Sequence, residues 1–233
     1  MALITGSTTK DWSGISLPQG DFETDLVTYI NRANQIDDAL NLIFISPSSP
    51  TLAVVELSAG EIVTIRGSGF DGSSPLIINS VSYRNTNTGE IFGFTGTLDG
   101  IGNEVLTSAT LGSTDFSETF KGTIIVPATF PDPPGNFSGT LTSLVVKIGG
   151  ATEILSGNFH MTGNNVSASL TGTVTGISVV SGADTITMTG LSLSLDVLQA
   201  ALGTPELDTV DDLFAFLSNH LPGNDTITYT NNS

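Results

Sequence analysis

Asn165-Val-Ser-Ala-Ser-Leu-Thr-Gly-Thr-Val-Thr-Gly-Ile-Ser-Val-Val-Ser-Gly-Ala-Asp-Thr-Ile-Thr-Met-Thr-Gly-Leu-Ser-Leu-Ser-Leu195 decides the fold class. Leu170, Gly172, Val174 and Gly176 alternate with Thr171, Thr173 and Thr175. After Ser181-Gly182 the alternation resumes with Ile186, Met188, Gly190, Leu191, Leu193 and Leu195. A period of two on both sides of a Gly-containing turn predicts an antiparallel hairpin with one buried face. Thr and Ser suit the wet face, because small polar and β-branched side chains fit a half-buried pleat.

The same grammar continues toward the N-terminus. Strands are expected at 52–57, 61–66, 76–84, 90–98, 116–126, 137–148 and 152–161, each bounded by Gly, Asn or Pro. Short strands in series with no helix between them point to an antiparallel sandwich, a barrel or a strongly curved sheet. A short signature recurs: Phe94-Thr-Gly-Thr-Leu98, Phe120-Lys-Gly-Thr-Ile124, Phe137-Ser-Gly-Thr-Leu141 and Leu170-Thr-Gly-Thr-Val174. The last two copies belong to a longer match at an offset of 33 residues, pairing Gly139, Gly149 and Gly157 with Gly172, Gly182 and Gly190. One reading is a stack of related hairpins. The plainer one is glycine placed where a neighbouring strand or an aromatic ring comes close. Uneven spacing argues against a strict solenoid. Pro131-Asp-Pro-Pro134 is the clearest break in the chain.

Two helical regions flank the strands. Phe22, Leu26, Tyr29, Ala33, Ile36, Leu40 and Ile43 step by four and three residues, the stripe of an amphipathic helix over 21–44. Asp21, Glu23 and Asp25 lie where the helix dipole favours negative charge. Beyond Leu195, two short helices are expected within 195–220, followed by a turn and a last alternating strand.

Composition sets the limits. The 233 residues carry 23 acidic and six basic side chains, for a net charge of −17. With so few cations there is no basic patch for phosphate backbones, so nucleic acid is not expected as a partner. No stretch is long and apolar enough to insert in a membrane. The chain has no cysteine, which excludes disulfides and thiolate metal sites. Excess carboxylate leaves calcium open as a cofactor. The two histidines, His160 and His220, lie far apart without a nucleophile motif, a Gly-x-Ser-x-Gly elbow or a His-Glu-x-x-His pair. The expectation is a protein that is not an enzyme.

A family resemblance enters at Asn158-Phe-His-Met-Thr-Gly163, Gly172-Thr-Val-Thr175, Thr189-Gly-Leu-Ser-Leu193 and Gly223-Asn-Asp-Thr-Ile-Thr228. In order and spacing, over roughly 158–230, these resemble the module that precedes calcium-binding repeats in secreted RTX (repeats-in-toxin) proteins. The same module is similar to the core of HasA-type haem carriers. That resemblance implies a curved antiparallel sheet with helices on one side, type I secretion through a C-terminal signal, and an extracellular location. The opening Met-Ala-Leu-Ile-Thr-Gly-Ser-Thr8 lacks the basic start and apolar run of a Sec leader, as that route would allow. The Gly-Gly-x-Gly-x-Asp repeat is absent. Where the hemophore pattern Asn-Leu-Thr-Tyr-Thr carries its iron-ligating Tyr, this chain has Met161, and the supporting His position falls near Ala168. His160 and Met161 are therefore the haem or ligand candidates, and tight haem binding is not expected. Asn224 and Asp225 are the calcium candidates.

The expectation is a mainly β (α+β) protein: a curved antiparallel sheet or sandwich with one long N-terminal helix and a short C-terminal helix pair. Its regions are 1–50 with the helix, a β-rich 51–130, and a HasA-like module at 135–233, possible as one continuous domain with 51–130. The function expected is a secreted structural or adhesive protein that self-assembles into filaments, a matrix or a surface layer. Thr226, Ile227, Thr228, Tyr229 and Thr230 form the expected assembly strand. The expected partners are further copies of the chain, with a polysaccharide or cell surface as another candidate. The alternatives are a HasA-like ligand carrier and the non-catalytic leading module of a larger secreted RTX enzyme.

Overall fold

The computed structural model describes residues 3–5, 17, 22–41, 49–72, 75–98, 103–127, 136–202, 204, 207, 209–221 and 226–232. The elements run β1 (Leu3–Thr5), α1 (Phe22–Asn41), β2 (Leu52–Ser58), β3 (Glu61–Ser68), β4 (Ile77–Asn85), β5 (Glu90–Leu98), β6 (Asn103–Ser113) and β7 (Phe116–Pro127). They continue with β8 (Phe137–Ile148), β9 (Ala151–Gly163), β10 (Ala168–Ser181), β11 (Asp184–Ser194), α2 (Leu195–Ala201), α3 (Val210–His220) and β12 (Thr226–Asn232). The strand order is β1-β12-β11-β10-β9-β8-β7-β6-β5-β4-β3-β2. From β2 to β11 the chain is a meander of sequential neighbours in one open sheet. β12 adds to β11 antiparallel, and β1 adds to β12 parallel. The fold is mainly β, and its sheet is single rather than a sandwich.

By internal contacts the chain divides into two compact units, Met1–Phe22 with Leu141–His160 and Leu170–Ser233, and Glu23–Thr140 with Met161–Ser169. The division passes within β8 and β9. The Pro131–Pro134 stretch falls outside the described residues.

In the first unit, β10 and β11 are the hairpin that 165–195 predicts. Ser181 pairs with Asp184 across a two-residue turn. Gly182 there has φ +64° with no positive φ at Ala183, the pattern of a turn that needs glycine at its first central position. The alternation slips at two points. The β10–β11 register shifts between Val174 and Gly176, so Gly176 and Ile177 are both buried. Thr189 and Gly190 are both exposed before Leu191 turns inward. Leu193, Leu195, Leu198, Leu207, Leu213, Phe216 and Leu217 are buried, so strand, α2 and α3 all contribute to the apolar interior. α3 opens on a capping box: the Asp212 backbone N–H donates to the Thr209 hydroxyl, and the Thr209 N–H donates to Asp212 Oδ2 at 2.9 Å.

The 33-residue match is now readable. Gly149 and Gly182 sit in the turns that join β8 to β9 and β10 to β11, so the repeat is one hairpin design used twice. The Gly-Thr signature marks close strand approach. At Gly172 φ is +146°, and a Cβ there would overlap the carbonyl of Asn158. At Gly96 a Cβ would overlap the Val105 carbonyl and crowd Leu106 Cα, next to the β5–β6 register shift. The plainer reading of these glycines is the one the packing supports.

In the second unit, α1 lays Leu26, Tyr29 and Ile30 into the core and leaves Ala33 half-buried, and its first residue, Phe22, which groups with the first unit, is buried too. The side chains of Ile36 and Leu40, and all of Ile43, lie outside the described residues. Glu23 and Asp25 occupy the first turn. The helix sits on the inner face of the sheet: Tyr29 stacks on Phe92 with ring centroids 4.6 Å apart. Burying each such side chain stabilises by about 1.5–3 kcal/mol. β6 is a strand that periodicity does not reveal. Its buried positions are Glu104, Leu106 and Ala109, because the pairing with β5 sets two steps of β6, Leu106 to Ser108, against one step of β5 and leaves Thr107 as an extra residue. That bulge breaks the period of two, and a carboxylate stands where an apolar residue would be looked for.

Candidate functional site

The residues proposed from the HasA resemblance separate in the fold. Both lie on β9, where neighbours face opposite ways. His160 is exposed, whereas Met161 is 2% exposed and belongs to the core. Ala168 is half-buried at the start of β10. Asn224 and Asp225 lie outside the described residues. Among the described residues no cluster of three or more His, Asp or Glu side chains is placed to hold a metal. No described helix is long and apolar enough to cross a membrane.

Thr226, Ile227, Thr228, Tyr229 and Thr230 lie in β12, next to the terminal strand of the sheet. Thr187, Met188 and Thr189 of β11 pair with Thr230, Tyr229 and Thr228. β1 covers the other side only at Thr226, Ile227 and Thr228. Within the chain, then, part of β12 is already used on both sides, and its stretch from Tyr229 to Asn232 is paired by β11 alone among the described residues. At the opposite end, among the described residues, β2 pairs along its length with β3, and its first residue, Leu52, also bridges to Ser49. β2 carries a single charge, Glu56, and its Val54 is 46% exposed. Lys and Pro, the residues that commonly guard an edge, are absent from the strand.

One polar cluster escapes sequence reasoning. Arg32 of α1 donates through Nε to Glu90 Oε1 at 2.7 Å and through Nη2 to Oε2 at 3.1 Å. The same Nη2 donates to the Tyr83 hydroxyl at 2.8 Å, and the guanidinium carbon lies 4.7 Å from the Tyr83 ring centroid. Tyr83 in turn donates to Glu61 Oε1 at 2.8 Å. Hydrogen bonds from Ser58 and then Tyr83 hold the Glu61 carboxyl below its usual range. Burial first, and Glu61 second, push the Tyr83 phenol up. The partners are 51 to 58 residues apart in sequence, so only the observation that Arg32 is the helix's single cation could have marked it. Arg32, Glu90, Tyr83 and Glu61 each have a partner within this network. The cluster fastens α1 to β3–β5.

Buried carboxyls are the other unforeseen feature. Glu104, Glu118 and Glu153 are each under a tenth exposed. Desolvation pushes Glu153 up to about 8.

No protein-family model, curated protein or solved structure matches this chain.

Proposed function

We propose that the protein is an extracellular structural or adhesive module that assembles head to tail through the two ends of its sheet. The observation that carries this reading is the open meander itself: it ends at β2, whose backbone from Ala53 to Ser58 is paired on the β3 side alone among the described residues. Unpaired strand edges are templates for another chain. Pairing β2 of one copy with the Tyr229–Asn232 end of the next would continue the ladder, and a contact of that kind propagates unless rotation closes it. The acidic surface opposes association, and calcium or salt would relieve that repulsion. The Thr- and Ser-rich, cysteine-free composition and the RTX-like words near the C-terminus support an extracellular setting.

Light scattering over a concentration series with millimolar calcium tests the reading. The full chain should grow in mass. Val54→Lys, which puts a guard residue on β2, should hold it monomeric. A full chain that stays monomeric throughout contradicts the proposal.

A further inference from the structure

The strand pairing of the second unit builds an outer face unlike the rest of the molecule. One row across β3 to β7 reads Arg66, Ser80, Thr95, Ser108 and Lys121. The next row reads Thr64, Ser82, Gly93, Thr110 and Thr119. Beyond it, Arg84 stands between Ile62 and Ile91. These side chains face away from the core, since Val63, Ile65, Val81, Tyr83, Phe92 and Phe120 point to the other side. The floor is a depression of about 580 Å³, within the roughly 300–1,000 Å³ of small-ligand sites. Arg66, Arg84 and Lys121 are exposed and are three of the six basic residues in the chain. Among the described β2–β7 pairings, the carboxylate aligned with these rows is Glu56, on the edge strand opposite Ile62.

We propose that this face binds an anionic polysaccharide. Arg66 and Lys121 close the two ends of a row five strands wide, about 19 Å at the usual strand spacing. A small anion could meet only one of them, so the ligand must be extended and carry spaced charge. Between the cations lie hydroxyls. Thr95 Oγ1 and Ser108 Oγ are 2.7 Å apart, and Thr110 Oγ1 and Thr119 Oγ1 are 3.0 Å apart. Thr95 Oγ1 also lies 2.9 Å from Thr107 Oγ1, so that cluster is partly spent, while the Thr110–Thr119 pair uses one proton and leaves a second O–H and several lone pairs for sugar hydroxyls. Gly93 at the centre of the floor has no side chain, so a flat ring can rest on the sheet, with Ile62 and Ile91 beside it for C–H contact. The net charge of −17 opposes any polyanion at long range, so contact rests on these three cations within a screening length of the face.

The inference does not rest on edge assembly, and the test keeps the two apart. Binding of the full chain to immobilised hyaluronan, whose sugars alternate uronate with an N-acetylated neighbour, is measured beside neutral dextran. Saturable binding to hyaluronan and none to dextran is expected. Arg66→Ser with Arg84→Ser and Lys121→Ser should weaken binding roughly tenfold or more, since each removes a charge-assisted contact. Ser82→Phe, which covers the floor without changing charge, should weaken it as well. Lys147→Ser, a cation on β8, should leave it within about twofold, as expected for a surface residue away from the contact. No binding to hyaluronan, or equal binding by the triple variant, overturns the proposal. So does a triple variant whose sedimentation shifts in the absence of polysaccharide, which would assign the face to a second copy.

Discussion

Glu153 makes the sharpest single-residue prediction. An ordinary Glu titrates near 4.5, and burial raises this one to about 8. Between those values the folded chain holds a proton that the unfolded chain has lost. Its contribution is therefore fully present below about 4.5, declines as pH rises through about 8, and is flat above. The slope is about 1.4 kcal/mol per pH unit. Glu153→Gln keeps the shape and removes the titration, so its stability relative to wild type should climb by a few kcal/mol between acid and about pH 9. Chemical denaturation at several pH values reads this directly, and parallel curves for the two proteins would refute it. Gly172 gives a second case. A methyl group there has no room against the Asn158 carbonyl, and φ +146° disfavours any side chain. Gly172→Ala should lower stability by about 2 kcal/mol or more in thermal melts, and an unchanged melt would mean the strands are not that close. For His160, exposed and facing away from Met161, haemin titration in the Soret band should show no saturable one-to-one complex; one abolished by His160→Ala would overturn that expectation.

The elements differ in how legible they were. α1 was readable because Phe22, Leu26 and Tyr29 keep helical spacing and go into the core. Its anchor was not, since Arg32 meets Glu90 and Tyr83 only once β4 and β5 are paired. Leu26→Asp buries an unpaired charge and should cost several kcal/mol. Arg32→Ala should cost less, about 1–2 kcal/mol, because the ion pair is partly exposed and the stacking on Tyr83 is the rest. Equal melting of the two variants would show that the apolar stripe is not what holds the helix. β10 and β11 were legible from alternation alone. β6 was not, because a bulge at Thr107 and an inward Glu104 erase its period. β1 is three residues long, too short to carry a pattern. The Gly-Thr signature was visible as a repeat, but what it repeats is a close approach between strands rather than a binding word.

For the molecule as a whole, alternation in the sequence announced an antiparallel sheet, while pairing order and edges came only from the fold. The terminal strand was expected to be free for a neighbour. It is paired to β11, with β1 along part of its other side, so the open backbone lies at Tyr229–Asn232 and at β2. The haem and calcium candidates were chosen on the resemblance: His160 and Met161 face opposite ways on β9, and Asn224 and Asp225 lie outside the described residues. The outer face of β3–β7 was invisible in the sequence because its cations, Arg66, Arg84 and Lys121, sit on three different strands. Edge assembly remains the central claim. Hydrogen exchange of assembled against monomeric protein tests it most directly, since amides gain protection only where a new ladder forms. The account predicts added protection in Leu52–Ser58 of β2, with the inner strands β4 and β5 unchanged. Assembly that leaves those β2 amides exchanging as in the monomer would contradict it.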